Sequence, residues 1–406
     1  MTARSPIHLA VALEGAGWHP AAWREPDAAQ GVELFGARYW LDQVSRAEAG
    51  LLDFVTIEDA FPLQSEDFFG PDTRTDRVRG RLDASLIAAR VAPLTRHIGL
   101  VPTITTSHTE PFHVSKTIAT LDYASTGRAG WRPQVGLRGG EAPLFGRREV
   151  PTKLRLEDLT GPEAQALIAP FFDEAADHVE AVRRLWDSWE DDAEIRDAAT
   201  GRFVDREKLH YIDFEGPHFS VRGPSITPRP PQGQPPVVAL AHASKPYEFA
   251  ARSADVVLVT PHEAGHIAPI VGEIRAAQSN AGRADEPLLI FGELVVFLDT
   301  VPAKAFARKE RLDEAAGEQY RSDASIFVGS PAELAELLEA WADSGLDGFR
   351  LRPGAVPADL DAVTRHLVPE LQRRGLFRRQ YEADTLRGLL GFERPANRYA
   401  AVAAAA

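Results

Sequence analysis

The chain of 406 residues contains no cysteine. That absence excludes disulfides, thiolate metal centres, iron–sulfur clusters and cysteine nucleophiles together. Methionine is nearly missing too, with one residue, and an Ala- and Arg-rich composition accounts for this without a redox argument. Positive charge is in short supply: 45 Lys and Arg stand against 59 Asp and Glu, a formal charge of −14. This argues against a general binder of nucleic acid or acidic membrane. An anionic cofactor stays open, because it needs only a few backbone amides and one or two arginines. No apolar run is long enough to span a bilayer. The apolar stretch Ile7–Leu13 is interrupted by Glu14 and no cleavage site follows, so it reads as a strand, and the expected location is the cytoplasm. No G-x-G-x-x-G follows a strand pattern, which removes the usual dinucleotide-binding fingerprint.

What the sequence does contain is alternation. Short β-branched runs alternate with amphipathic stretches over most of the chain, the pattern of a parallel sheet with crossover helices. Eight strands are expected at Ile7–Glu14, Phe54–Glu58, Ile98–Thr103, Gln134–Leu137, Val237–Ala241, Val256–Thr260, Leu288–Val296 and Gly348–Leu351. Eight such units predict an α/β fold, a (β/α)8 TIM barrel. Helices are expected within Gly36–Gly50, Arg81–Leu94 and Ser330–Gly345, the last opening on Ser330 as N-cap with proline following. Residues 138–236, after the fourth strand, are too long for a plain βα loop. Their charged, Gly- and Pro-rich first part predicts a lid over the barrel mouth, followed by a helix and a hairpin. A helical extension follows the eighth strand. The expected organisation is one barrel domain over 1–395 and a disordered tail over 396–406.

In such a barrel the chemistry sits at the C-terminal strand ends. Those positions hold Glu14, Glu58 and Asp59, then Thr103, Thr105 and Thr106, then Gln134, then His242 and Ser244, and finally Thr260. The set is richer in hydrogen-bonding groups than in acid–base dyads, which suits a held cofactor better than hydrolysis. Among the 12 histidines, His108, His113 and His242 lie near strand ends and are the candidates for acid–base work. Arg128 is a candidate for phosphate charge or for a surface ion pair. Asp59 equally suits the cap of the next helix. Trp18, Phe61 and Phe68, with Glu14, suggest a largely apolar substrate wall. His262-Glu263-Ala264-Gly265-His266 fits the zinc motif H-E-x-x-H, but Pro261 and Gly265 disfavour the helix that would put both histidines on one face.

Several stretches resemble the luciferase-like flavin monooxygenases, in the group that includes nitrilotriacetate, dibenzothiophene-sulfone and long-chain alkane monooxygenases. They are DFVTIEDA (53–60), RHIGLVPTITTSHTEPFHVSKTIATLDYASTGRAGW (96–131), LWDSWEDDA (185–193), HFSVRGPSITPRPPQGQPPV (218–237), SADVV (253–257) and VPELQRRGLFRRQYEADTLRGLLG (368–391). The resemblance implies a TIM barrel that takes reduced FMN from a separate NAD(P)H:flavin reductase. It implies oxygenation of a small organic substrate with O2 through a flavin C4a-(hydro)peroxide. By position it assigns Asp59 and Thr105 to the flavin ring and Ser244 to the phosphate, with Thr103 and Arg128 as neighbouring candidates. A homodimer is expected, without metal. Three positions depart from the family pattern: Arg132 replaces a ring-contacting Asn, for which Gln134 is the expected substitute; Phe172 replaces a phosphate-binding Tyr; and Leu240-Ala241-His242 replaces Gln-Ala-Gly. The alternatives are hydride transfer with deazaflavin F420 on the same fold, a zinc hydrolase using His262 and His266, and a relative without catalysis.

Overall fold

The computed structural model describes residues 6–28, 31–65, 67, 70–138, 140–146 and 161–403. Eight parallel strands form the barrel: β1 (His8–Leu13), β2 (Phe54–Ile57), β3 (Gly99–Thr105), β4 (Arg132–Gln134), β5 (Val238–Leu240), β6 (Val256–Val259), β7 (Leu289–Leu298) and β8 (Gly348–Pro353). Their hydrogen-bonded order is β4-β3-β2-β1-β8-β7-β6-β5. A parallel bridge between Trp131 and Val237 joins the two ends of that order. All eight expected strands are present. The fourth is displaced to Arg132–Gln134, because Trp131 N–H donates to Pro236 O and Thr106 N–H to Gln134 O, so its neighbours set its place.

A further strand, Ser325–Gly329, was not expected. It pairs with the far half of β7, Leu294–Leu298, beyond the point where β7 leaves β6. Ten-residue β7 therefore serves β6 at its start and the side strand at its end, with β8 along its other edge.

Around the barrel lie α1 (Ala37–Ala49), α2 (Ala84–Val91), α3 (Pro111–Ala124), α4 (Pro162–Asp187), α5 (Ser244–Ser253), α6 (Ile267–Asn280), α7 (Pro302–Ala316) and α8 (Pro331–Asp343). Helix α8 starts on a capping box, in which the Ser330 hydroxyl and the Glu333 carboxylate satisfy each other's backbone N–H groups. Between β4 and β5, α4 is followed by two antiparallel hairpins, Glu194–Asp197 with Arg202–Val204 and Phe214–Glu215 with Ser220–Val221; the first of these was not expected. Most of the expected lid, 147–160, lies outside the described residues. The tail expected to be disordered begins as docked chain: Asn397 is buried and donates to Asp187 O and Trp189 O, and Arg398 pairs with Glu180. No helix among the described residues is long and apolar enough to cross a membrane.

Strand alternation gives the barrel two interiors. Ala10, Phe54, Val101, Val238, Val256, Leu258 and Phe291 form one buried apolar cluster, closed from below by Leu386, Leu390 and Phe392 of the C-terminal extension. Two residues along from Phe54, Val101 and Phe291 the inward positions become Thr56, Thr103 and Glu293, and Arg132 of β4 and Arg350 of β8 join them, all buried. The apolar half carries the hydrophobic stabilisation. The polar half opens toward the C-terminal mouth.

Candidate active site

The charged layer is built across five strand ends. Glu293 on β7 receives N–H groups from both Arg350 and Arg352 of β8, and all three side chains are buried. Arg350 continues to Thr56 Oγ1 and Glu58 Oε1, each at 2.8 Å. The other Glu58 oxygen lies 3.2 Å from Arg132 Nη2, and Arg132 donates to Thr103 Oγ1 and Gln134 Oε1, both at 3.1 Å. On the far side, Arg352 donates to Asp323 Oδ1 at 2.6 Å and lies over the Trp18 ring at 4.5 Å. Asp323, just before the side strand, stands 3.6 Å from His242 Nε2. One chain of alternating charge therefore runs from Arg132 to His242. Burial raises the cost of each charge, but Arg132, Arg350 and Arg352 together bring Glu58 down to about 2. Burial likewise opposes ionisation of Asp323, and Arg352 overcomes it, leaving that carboxyl well below its usual range. The surrounding protein lowers His242, with Asp323 acting against it, although 40% of its side chain is exposed.

A cleft of about 180 Å³ opens where the ends of β2 and β3 meet the first turns of α2 and α3. Asp59, Phe61, Thr103, Thr105 and His113 line it. Asp59 is half-buried and accepts from Ala60 N–H at 2.8 Å and from Ala84 N–H at 2.9 Å, the latter at the start of α2. Burial raises its carboxyl to about 6 against those two bonds. Glu14 closes the adjacent wall through a 2.6 Å pair with Arg81. His108 is buried and stacks on Phe145, with ring centroids 4.7 Å apart. Phe61 meets both rings edge-on.

The predicted site residues thus divide. Asp59, Thr103, Thr105 and His113 share the cleft, Gln134 and Thr103 share Arg132, and His242 joins the same charged layer through Asp323. Ser244 opens α5, where no side chain caps the helix, and its hydroxyl donates to Glu273 at 2.5 Å. Arg128 is separated from all of them. It precedes the residues that bridge the start of β3, and its guanidinium donates to Ser125 O, Thr95 Oγ1, Ile98 O, Ala92 O and Thr95 O. With those donors engaged beside the N-terminal end of β3, Arg128 does not serve a phosphate at the mouth; it staples the loop before β4. Phe68 of the expected substrate wall lies outside the described residues. The zinc geometry does not form: Ala264–His266 is a 3₁₀ turn with Glu263 3.3 Å from His266, and no cluster of three metal-ligating side chains exists among the described residues.

Sequence reasoning missed Glu293, Arg350, Arg352 and Asp323. A lone Glu inside the apolar run LIFGELVVFL and the Arg-x-Arg spacing on β8 were the available signals, since period-2 charges on a barrel strand share the inner face.

The profile of the family described as Luciferase-like monooxygenase matches residues 16–312. The chain belongs to this family. Membership makes it an oxidoreductase of the monooxygenase kind, in line with named relatives. One is the N-acetyl-S-(2-succino)cysteine monooxygenase of Bacillus subtilis (strain 168), 30% identical over 98% of this chain and 99% of the relative. Another is nitrilotriacetate monooxygenase component A of Aminobacter aminovorans, 29% identical over 98% and 99%. Among solved structures, a long-chain alkane monooxygenase superposes with a TM-score of 0.84 at 22% identity, covering 98% of this chain and 99% of its own, which establishes the shared barrel. A riboflavin lyase holding modified FMN and riboflavin gives 0.81 at 25% identity, covering 97% and 98%. An F420-dependent secondary alcohol dehydrogenase is more distant, with a TM-score of 0.60 at 15% identity over 90% of this chain and 99% of its own, and shares the fold alone.

Proposed function

We propose that this member of the family is an FMN-dependent monooxygenase of the two-component type, using FMN reduced by a separate NAD(P)H:flavin reductase to oxygenate a small organic substrate with O2. The relative named component A supports a division of labour between two proteins. The observation that carries the cofactor assignment is a set of orphaned donors. Arg132 Nε, Arg350 Nη2 and Arg352 Nε are buried in the polar layer and hydrogen-bond to nothing. Buried guanidinium N–H groups without acceptors are costly, and cationic donors suit the electron-rich pyrimidine edge of a reduced flavin. Arg132 thus offers, in place of the family's Asn, a stronger donor held by Glu58, Thr103 and Gln134.

Bound reduced FMN would supply the electrons and activate O2. The protein's own part is positional. Thr103, Thr105 and Asp59 offer hydroxyls and a carboxyl along the cleft, and the uncapped N-terminus of α5 with Ser244 offers donors to a phosphate. Glu273 accepts from Ser244, so a phosphate there must displace that bond. His108, His113 and His242 are the groups placed to hold or move protons. The expected homodimer has an apolar row to use, since Leu82, Leu86 and Leu94 are exposed along α2 and its flanks. The expected place of action is the cytoplasm.

The reading is tested by FMN affinity in three variants. Asp59→Ala and Ser244→Ala should each weaken binding several-fold, about 1 kcal/mol for a lost hydrogen bond. Glu273→Gln should strengthen it by removing a carboxylate from the phosphate end. Unchanged affinity in all three would overturn the assignment of these strand ends.

A further inference from the structure

Glu141 lies buried behind the cleft wall and has no role in the proposed cofactor site. Its side chain is buried, and neither carboxylate oxygen has a hydrogen-bond partner. A methyl group placed on Gly136 would come within 2.1 Å of Glu141 Oε2 and 3.2 Å of Ser107 Cβ and Thr105 Cγ2. The carboxyl therefore fills the space left by Gly136 just past β4, beside Thr105 of the cleft. His108 Nε2 lies 3.8 Å from Oε2, beyond hydrogen-bond reach, in the aromatic sandwich that ends at Phe61. The other charged groups that bear on it are Arg138 of its own loop and Arg81 before α2, and the latter is already paired with Glu14.

An ionised carboxylate buried without a donor costs several kcal/mol, and a neutral one leaves an O–H in search of an acceptor. We propose that Glu141 is held as a neutral carboxylic acid that donates its proton in a hydrogen bond to a carbonyl of the ring bound in the mouth, with His108 as its proton partner. The proposal rests on the flavin reading for the identity of that ring. Burial raises this carboxyl to about 7, with Arg138 and Arg81 acting in the opposite direction, so the proton is in play at neutral pH.

The test uses riboflavin and FMN as probes, the first because it has no phosphate to titrate. Calorimetric titrations in buffers of different ionisation enthalpy, between about pH 6 and 9, should show proton uptake on binding by the wild-type protein, and affinity should fall about tenfold per pH unit well above the carboxyl's pKa. Glu141→Gln keeps a donor, so it should bind both probes with no proton uptake and a flat profile. Glu141→Ala should bind about tenfold more weakly. Equal proton uptake in wild type and Glu141→Gln, or none in either, would overturn the proposal. If neither probe binds, anaerobic titration with reduced FMN decides the flavin reading on its own, and the ligand-free protein still decides the acid. The urea midpoint of wild type should fall relative to Glu141→Gln from about pH 5 to 8, because a carboxyl whose folded pKa is raised loses its stabilising proton as pH rises. Parallel profiles would overturn the proposal there as well.

Discussion

Glu293 is the residue on which the charged layer turns. It is fully buried between two guanidinium groups, so its removal leaves both without their anion. Breaking such a buried arrangement is expected to cost about 3–5 kcal/mol, and urea unfolding of Glu293→Ala should show a loss of that size. Arg128 makes the opposite kind of prediction. Arg128→Ala should destabilise by about 3 kcal/mol, since it leaves several buried acceptors unpaired, yet FMN affinity should not change. A loss of FMN affinity without a loss of stability would restore Arg128 to the cofactor. The buried acids also set the pH response. Asp122 is raised to about 6 by burial, against the N–H groups of Gln232 and Ala129, and Asp59 is raised to a similar value. For these groups the folded state holds the proton more tightly than the unfolded chain, so stability falls as pH rises from about 4 to 6. Glu58 acts in the other sense: its contribution is complete above the ordinary carboxylate range and is lost as pH falls toward about 2. The urea midpoint should therefore peak near about pH 4 and fall toward about pH 6; a steady rise over that range would contradict the assignment.

At the scale of elements, the strands were legible where their own residues carry the pattern. VVLV of β6 and the run of β7 are β-branched and buried on both faces, and the sequence marks them without help. Strand β4 is Arg-Pro-Gln, which has no such pattern; its position follows from hydrogen bonds with the chain on either side. The side strand Ser325–Gly329 carries a short β pattern of its own in Ile326-Phe327-Val328, but its partner is set by β7 running on beyond β6. The site follows the same division. Strand ends put Asp59, Thr103, Thr105, Gln134 and His242 on view as candidates, whereas Glu293, Asp323 and Glu141 acquire meaning only when distant segments meet. The C-terminal extension is likewise more than a wrap. Leu386 reaches Gly99 and Gly130 at the barrel's lower end, and Leu386→Ala should cost about 2–5 kcal/mol by opening a cavity there. A loss below about 1 kcal/mol in urea unfolding would mean that the plug is dispensable.

For the molecule as a whole, one barrel joins an apolar lower half, which supplies stability, to a charged upper half, to which recognition is assigned by the proposal. The net charge of −14 does not oppose an anionic cofactor, because the arginines are concentrated where the ring is expected, and the acids among them are paired. The one unpartnered N–H group on each of the three buried guanidinium groups is what the proposal assigns to the electron-rich edge of reduced over oxidised flavin. Anaerobic titration of the protein with reduced FMN, beside oxidised FMN and F420, is the decisive measurement. Saturable binding of reduced FMN, at least about tenfold tighter than of either of the others, is the predicted result. Tighter binding of F420, or no binding of FMN in either oxidation state, would contradict it.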